Sequence, residues 1–289
     1  MSSSFGRGLS PGFMDNLLHG PCRLLLDAAA QAGLDVRLRG DYLNFYLHGR
    51  SLAKLSGRQR GGPKLEIHHK YLVETRLAEE EGHRNAGPYV SFDVDDALAK
   101  TYVGAVDEIV TRAVAYSGSE ETVEAKLMRQ NGVLAPICCF DRQVQVPGAT
   151  GKLDMMGLHG GDTPTMVAIE LKCYPDPRIQ GVPKQLLDYL QIFDPSGDGL
   201  RPDVAESYKL VCDQLRRLGL SGPDPAAIFA GMPVQGLVVL TSNNPRSQLL
   251  ERAHQQAARL SRPIYLWQPE PGEDALRIPE RTSWVRMGS

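Results

Sequence analysis

Two acidic residues and one lysine near the middle of the chain have the types and spacing that metal-assisted hydrolysis requires. Asp154 interrupts an apolar run, and Glu170 and Lys172 follow it sixteen and eighteen residues later. Two neighbouring carboxylates repel each other and stay charged at low cost only when a cation lies between them. Carboxylate oxygens suit Mg²⁺ or Mn²⁺, and a lysine side chain beside them can orient or deprotonate a water. These residues therefore predict a metal site that activates water against a phosphate ester.

Two predicted strands must bring these side chains together. Residues 165–174 are strongly strand-forming, and Glu170 and Lys172 would point to the same face of that strand, with apolar residues on the other face. A turn-forming stretch at 159–164 separates this strand from the one that carries Asp154. A hairpin of the two strands sets Asp154 beside Glu170. The competing interpretation is a surface hairpin with an ordinary Glu–Lys pair.

A helix predicted over residues 183–193 adds two polar side chains to this region. Pro183 suits the first helical turn, and leucines supply a buried stripe. Gln185 and Tyr189 are four residues apart and therefore share one helix face. We expect this face to hold the lysine or a substrate phosphate, although taken alone it would be a solvated helix edge.

Three short patterns occur in a fixed order along residues 118–193. They are Gly151-x-x-Asp154, Glu170-x-Lys172 and Gln185-x-x-x-Tyr189. In this order they resemble the PD-(D/E)xK nuclease superfamily, in particular the RecB-like branch with its Q-x-x-x-Y helix. The resemblance covers about a quarter of the chain. It implies an enzyme that uses Mg²⁺ to hydrolyse phosphodiester bonds on a restriction-endonuclease-like core.

The resemblance also implies a role for each residue on the two strands. Asp154 and Glu170 would hold Mg²⁺ or Mn²⁺, and the main-chain carbonyl of Leu171 would be an additional ligand. Lys172 would position the attacking water. The expected cofactor is therefore a divalent cation.

The flanking helices carry the remaining residues implied by the resemblance. Gln185 and Tyr189 would organise the lysine and the substrate phosphate. Members of the family often have another acid on the helix before the strands, and Glu124 is the residue predicted there, with Glu121 one turn earlier as the alternative. Both acids could equally be solvated helix charges. The chain departs from the family pattern at Leu153, where proline is usual, in a position that does not touch the metal.

Other cofactors are not expected. The five cysteines include no C-x-x-C pair, which favours free thiols in a reducing cytoplasm. They also lack the clustering that the iron–sulfur members of the RecB-like group need, so no iron–sulfur cluster is expected. Residues 148–152 hint at a nucleotide-binding P-loop, but Val146 stands where that pattern needs glycine and no serine or threonine follows Lys152. No bound nucleotide is therefore expected.

The order of predicted elements indicates the fold class. Residues 36–68 contain alternating segments that predict a small antiparallel sheet, and residues 91–115 predict a helix. In the second half, consecutive strands are followed by strands separated by helices, which predicts a mixed sheet covered by helices. Residues 268–289 are predicted as surface coil. The fold class is α/β, with a restriction-endonuclease-like mixed sheet flanked by helices in residues 116–289 and a small α+β module before it in residues 1–115.

The charge of the chain is unevenly distributed. The net charge of −2 argues against a chain that binds nucleic acid or membranes through its overall charge, and no apolar stretch approaches the roughly twenty residues of a membrane helix. Between residues 34 and 70, however, eight basic residues occur with only three acidic ones. This segment is predicted to contact phosphate, while a solvated hairpin surface explains it equally well. The predicted contacts are Arg50, Lys54, Arg58, Arg60 and Lys64.

Aromatic residues and histidines lie in the same segment. Tyr42, Phe45 and Tyr46 would either stack on bases or form the core of a strand. The adjacent His68 and His69 are expected to point to opposite faces of a strand as surface residues.

The patterns together predict a metal-dependent nuclease that acts on DNA in the cytoplasm, with a homodimer as its expected assembly. Phage defence, DNA repair and mobile-element processing all suit such an enzyme. The alternative is a non-catalytic nucleic-acid-binding module, or one regulated by a partner, on the same fold. In a partner-regulated module, the N-terminal module would bind a regulatory protein or a ligand.

Overall fold

A computed structural model describes most of the chain, namely residues 5–57, 62–80, 82–84, 87–116, 118–241, 247–270 and 276–289. The chain divides into two compact units. The N-terminal unit contains residues 7–125 and 213–220, and the C-terminal unit contains Phe5, Gly6 and residues 126–212 and 221–289. The border predicted near residue 115 lies in the turn after a helix, whereas this division lies within the following helix.

The N-terminal unit is built on an antiparallel sheet. Its strands are β1 (Asp35–Arg39), β2 (Tyr42–Leu47), β3 (Arg50–Ser56), β4 (Lys64–His68), β5 (His83–Arg84) and β6 (Tyr89–Asp93). They lie in the order β1-β2-β3-β4-β6-β5, and each neighbouring pair is antiparallel. Burial alternates along β4, as expected for a strand with one covered face and one polar face.

Three helices accompany this sheet, namely α1 (Pro11–Leu18), α2 (Pro21–Gln31) and α3 (Asp96–Val114). Helices α1 and α2 each have proline in the first turn, where its missing N–H is not needed. The helix predicted from Ser91 starts later than expected, and that part of the prediction is wrong. Residues 89–93 instead pair with β4 as a strand, and the Asp95 side chain caps α3 by accepting a hydrogen bond from the Leu98 N–H.

The C-terminal unit contains a mixed sheet. Its strands are β7 (Ile137–Gln145), β8 (Lys152–His159), β9 (Thr165–Cys173), β10 (Val234–Thr241), β11 (Ile264–Trp267) and β12 (Val285–Arg286). They lie in the order β12-β11-β10-β9-β8-β7. Strands β9, β10 and β11 are parallel, and the remaining pairs are antiparallel. Strand β9 is buried almost throughout, as expected for a strand covered on both faces.

Four further α-helices lie in the described residues, namely α4 (Ser119–Gln130), α5 (Val182–Phe193), α6 (Pro202–Arg217) and α7 (Gln248–Ala257), together with short 3₁₀ helices. Helix α5 packs on β9 and β10. A Cβ at Gly236 of β10 would be in ordinary contact with Leu190 and Leu186 of the helix, at 3.4 and 3.6 Å, and in tight contact with Ile264 of β11, at 3.0 Å. Helix α5 is therefore held directly above the middle of the sheet.

The segment predicted as surface coil is partly ordered into the core. Within its described residues 276–289, Ile278 and Trp284 are buried, and β12 pairs with β11. The prediction is wrong there because Asn131 hydrogen-bonds the main chain at Leu276 and Ile278, a contact that local polarity does not reveal.

The architecture is therefore mixed α/β, with two sheets flanked by helices. In the part of the chain that the structure describes, no helix combines the length and apolarity needed to cross a membrane.

Candidate active site

The hairpin of β8 and β9 brings the two predicted acids side by side. Met155 pairs with Ile169 and Met156 with Ala168, so Asp154 and Glu170 occupy the next position of the same antiparallel register. The turn before β8 ends at Gly151, whose φ of +93° favours glycine. The local chain direction therefore sets Asp154 at the start of one strand and Glu170 in the second half of the other.

Three oxygen atoms converge on the ammonium group of Lys172. Its Nζ donates to the Leu171 carbonyl at 2.8 Å and to Glu170 Oε2 at 3.0 Å, and it lies 3.5 Å from Asp154 Oδ2. The same Asp154 oxygen accepts a hydrogen bond from the Leu171 N–H at 2.9 Å. Two carboxylates and one main-chain carbonyl thus surround a single positive charge.

The electrostatics of this cluster are dominated by Glu170. Its side chain is 1% exposed and that of Lys172 is 6% exposed, while Asp154 keeps 18% of its side-chain surface in contact with solvent. Burial, followed by the Asp154 charge, raises the pKa of Glu170 to about 8, and Lys172 acts in the opposite direction. The ionised acid is costly unless a cation is close, and Asp154 is the most exposed of the three charged groups.

Helix α5 adds Gln185 and Tyr189 to the same cluster. The Gln185 side-chain amide donates to Glu170 Oε1 at 3.2 Å and to the Tyr189 hydroxyl at 3.4 Å. Burial raises the pKa of Tyr189, and the Gln185 hydrogen bond opposes that rise. The helix face predicted to hold the lysine or a phosphate therefore contacts Glu170, and it fixes the orientation of that carboxylate.

The residues present fit a hard divalent cation. The Asp154 and Glu170 carboxylates and the Leu171 carbonyl are oxygen ligands of the kind that Mg²⁺ and Mn²⁺ prefer, and they already surround a positive group. Within the described residues, no group of three or more His, Cys, Asp and Glu side chains is arranged to hold a metal. A cation here would therefore depend on two carboxylates, a main-chain carbonyl and water, a coordination that Mg²⁺ commonly accepts.

The acids predicted on α4 have different surroundings. Glu124 is buried, at 4% exposure, and Glu121 lies 3.4 Å from the guanidinium of Arg50. Both belong to residues of the N-terminal unit. A role for Glu124 in holding the metal stays a prediction.

The residues predicted to contact phosphate also differ from one another. Arg50 pairs with Glu121, and Lys64 pairs with Asp93 at 2.9 Å, so carboxylates compensate both charges. Lys54 instead lies over tyrosine rings. Arg58 and Arg60 lie outside the described residues. Of the aromatic residues in the same segment, Phe45 is fully buried and Tyr46 is nearly so, which places them in strand core, and Tyr42 is partly exposed.

Two polar residues near the cluster were not predicted. Asp176 follows β9, and its pKa is lowered mainly by a hydrogen bond from Arg178, with a smaller contribution from the Lys172 charge. In β7, the residues on either side of Gln143 pair with Met155 and Leu153, which places Gln143 opposite Asp154. Its φ of +49° is unusual for a residue other than glycine. The polar run around Gln143 within a predicted strand was a signal that could have pointed to it.

Comparisons with known proteins do not identify a family for this chain. No family model, no curated protein and no solved structure matches the chain.

Proposed function

We propose that the chain is a metal-dependent nuclease that hydrolyses phosphodiester bonds, with DNA as its substrate. The observation that carries the proposal is the convergence of oxygens from Asp154, Glu170 and Leu171 on one cationic position. The surface-hairpin interpretation fits poorly, because Glu170 and Lys172 are almost completely buried. Burying charged groups in this way costs free energy. Such clusters are expected at functional sites, where the charges take part in binding or catalysis.

The carboxylates of Asp154 and Glu170 and the Leu171 carbonyl would hold Mg²⁺ or Mn²⁺. When bound, the cation supplies a Lewis acid for the phosphate, a more acidic water and charge stabilisation for the leaving oxygen. Asp154 is the more exposed of the two acids and would be the one in contact with water and substrate. Glu170 is the buried ligand, and Gln185 orients it through Oε1.

Lys172 would position the attacking water, and its ammonium charge would stabilise the negative charge that develops on that water. Its Nζ lies within 3.5 Å of each of the three oxygens, so Lys172 contacts the same groups that would hold the cation. Tyr189 would act through Gln185, because its hydroxyl accepts from the Gln185 amide.

The resemblance of the three patterns to the PD-(D/E)xK superfamily supports this proposal, and so does a mixed sheet flanked by helices. We propose a restriction-endonuclease-like core for the C-terminal unit on the same grounds. Defence against phage, DNA repair and mobile-element processing are the proposed settings, in the cytoplasm and with a homodimer as the assembly. The N-terminal unit would bind the substrate, a regulatory protein or a ligand.

Cleavage assays with matched acid and lysine variants test the proposal. The full chain is incubated with plasmid and with labelled single-stranded DNA in Mg²⁺, Mn²⁺ or EDTA. Asp154→Asn and Lys172→Met should each lower the cleavage rate by about a hundredfold or more, since holding the metal and stabilising charge in the transition state contribute on that order. The control variants, Asp188→Asn and Lys184→Met, remove an exposed acid–lysine pair on α5 and should cleave normally.

Cleavage that persists in EDTA, or that is equal in Asp154→Asn and in the controls, would overturn the enzymatic proposal. Absence of cleavage by the unaltered chain in every condition would do the same. In that case the non-catalytic nucleic-acid-binding or partner-regulated module would be the better description.

A further inference from the structure

Aromatic rings and lysine ammonium groups form a continuous path in the N-terminal unit. Lys54 Nζ lies 5.4 Å from the centre of the Tyr89 ring, and the Tyr89 ring lies 5.5 Å from that of His68. The His68 ring is 5.6 Å from the Tyr71 ring, and Lys70 Nζ lies 4.8 Å from the centres of both the Tyr71 and Tyr116 rings. These six residues, Lys54, Tyr89, His68, Tyr71, Lys70 and Tyr116, are called the aromatic–basic track below.

The end of β4 explains how the track forms. The expectation that His68 and His69 point to opposite strand faces is wrong, because the strand ends at His68 and a short 3₁₀ helix begins at His69. The two rings lie 4.8 Å apart. Because the chain changes direction after His68, the His68 ring lies between Tyr89, on the sheet, and Tyr71, in the 3₁₀ helix.

Most of the track is accessible to a ligand. Tyr116 is 45% exposed, and Lys54, His68, Lys70 and Tyr89 are partly exposed. Tyr71 is buried and supports the rings around it. The track therefore presents both ring surface and ammonium groups to solvent.

Within the part of the chain that the structure describes, the two lysines of the track form no ion pair. Among the described residues, neither Lys54 nor Lys70 has a carboxylate within ion-pair distance, although Glu66 lies opposite Lys54 in the strand register. Nearby Arg50 and Lys64, by contrast, are both paired with acids. Partial burial lowers the pKa of His68, and the charges of Lys70 and His69 lower it further.

One ligand chemistry satisfies both features of the track. Phosphates pair with ammonium groups, and bases stack on aromatic rings, in a way that tolerates many sequences. A duplex hides its base faces, and an acidic peptide would leave the rings uncovered. We propose that the aromatic–basic track binds single-stranded nucleic acid, with Lys54 and Lys70 contacting phosphates and Tyr89 and Tyr116 stacking on bases. The inference adds a binding surface to the proposed nuclease and can be measured without cleavage.

Binding is measured by fluorescence anisotropy of the full chain with labelled oligo(dT) and oligo(U) of about 12 nucleotides. EDTA is present throughout to prevent cleavage. Lys54→Gln and Lys70→Gln should each weaken binding several-fold and reduce the slope of log affinity against log salt by about 0.7, the share of one phosphate contact on a single strand. Tyr116→Ala should weaken binding about tenfold by removing one stacking surface.

Matched controls separate a local effect from a change in net charge or in folding. Lys209→Gln removes a lysine that is paired with Glu206 and should leave both the affinity and the salt slope unchanged. Tyr116 is exposed, so its truncation should preserve the thermal midpoint of the chain. An unlabelled duplex and poly-glutamate should compete weakly with the labelled strand.

Several results would overturn the inference. The inference is wrong if the chain does not bind a single strand at low salt, or if the track and control variants bind equally well. It is also wrong if duplex or poly-glutamate competes more strongly than an unlabelled single strand. Asp154→Asn distinguishes this inference from the proposed function, because it should bind normally and fail to cleave. Cleavage with no contribution of the track to binding would remove only the track, and binding without cleavage would remove only the nuclease.

Discussion

Glu170 is deeply buried, and its surroundings favour either the protonated acid or a carboxylate with a cation beside it. It accepts hydrogen bonds from Lys172 and Gln185 and lies beside Asp154. Burial is the largest cause of its raised pKa, and the repulsion by Asp154 is the next. Since Lys172 does not cancel these two effects, the ionised cluster is destabilised in the absence of a further cation.

The pH dependence of stability should reveal this residue. The folded-state pKa of about 8 lies above the ordinary value of 4.5, so between these values the folded chain holds a proton that the unfolded chain has released. The stability contributed by this proton is present below the ordinary value and is lost as the pH rises through 8. In EDTA, the free energy of unfolding should therefore fall by up to about 1 kcal/mol for each pH unit across this window.

Urea denaturation at about pH 6 and about pH 8 checks this expectation. Glu170→Gln cannot ionise and should lose this part of the pH dependence, whereas Glu251→Gln, a change at an exposed acid of α7, should retain it. An identical pH dependence in the unaltered chain and in Glu170→Gln would contradict the raised pKa.

At the level of elements, one asparagine attaches the last described segment of the chain, residues 276–289, to the rest of the C-terminal unit. The fully buried Asn131 follows α4, and its side-chain amide donates to the carbonyls of Leu127 and Leu276 at 2.8 and 2.7 Å. Its Oδ1 accepts from the Ile278 N–H at 2.7 Å. The side chain thus satisfies main-chain groups of a helix end and of a segment nearly 150 residues away.

Asn131→Ala should be strongly destabilising. It would leave the Leu276 carbonyl and the Ile278 N–H buried without this partner, which costs about 3 kcal/mol in the free energy of unfolding. Arg129→Ala, at an exposed position two residues earlier, should change that free energy by less than about 0.5 kcal/mol. Equal midpoints of chemical denaturation for the two variants would show that Asn131 does not hold the segment.

At the level of the whole molecule, the chain does not divide into units at a single point. Phe5 belongs to the C-terminal unit, where its ring lies 5.9 Å from that of Phe193 and 5.3 Å from that of Tyr208, while Arg7 and the residues after it belong to the N-terminal unit. Both tryptophans, Trp267 and Trp284, lie in the C-terminal unit. Tryptophan fluorescence therefore reports on one unit, whereas far-ultraviolet circular dichroism reports on both.

Phe5→Ala should destabilise the C-terminal unit by about 3 kcal/mol, because it removes a buried ring from a cluster of aromatic side chains. The denaturation midpoint followed by tryptophan fluorescence should fall accordingly. Phe13→Ala is the matched control, since Phe13 is equally buried but lies in the N-terminal unit. It should change the circular dichroism transition more than the fluorescence transition. If Phe13→Ala lowers the fluorescence midpoint as much as Phe5→Ala does, the two units unfold together.

Much of the secondary structure could be predicted because it depends on local patterns. Strand β10 has the predicted bounds, and α5 begins within one residue of them. The start of α3 was missed because residues 89–93 form a strand by pairing with β4 and β5, which are separate segments of the chain. The C-terminal segment was missed for a similar reason, since the side chain that holds it lies far away in the sequence.

The amino-acid sequence by itself determined which acids, which lysine and which helix residues could act together, because spacing along a strand or helix decides which side chains share a face. Only the tertiary structure decided that Lys172 lies among three oxygens, that Gln185 contacts Glu170, and that aromatic rings and lysines from separate elements form one track. The physical reason is that burial and convergence depend on how distant segments pack. Packing sets the electrostatic cost of each charge, and local periodicity does not contain that information.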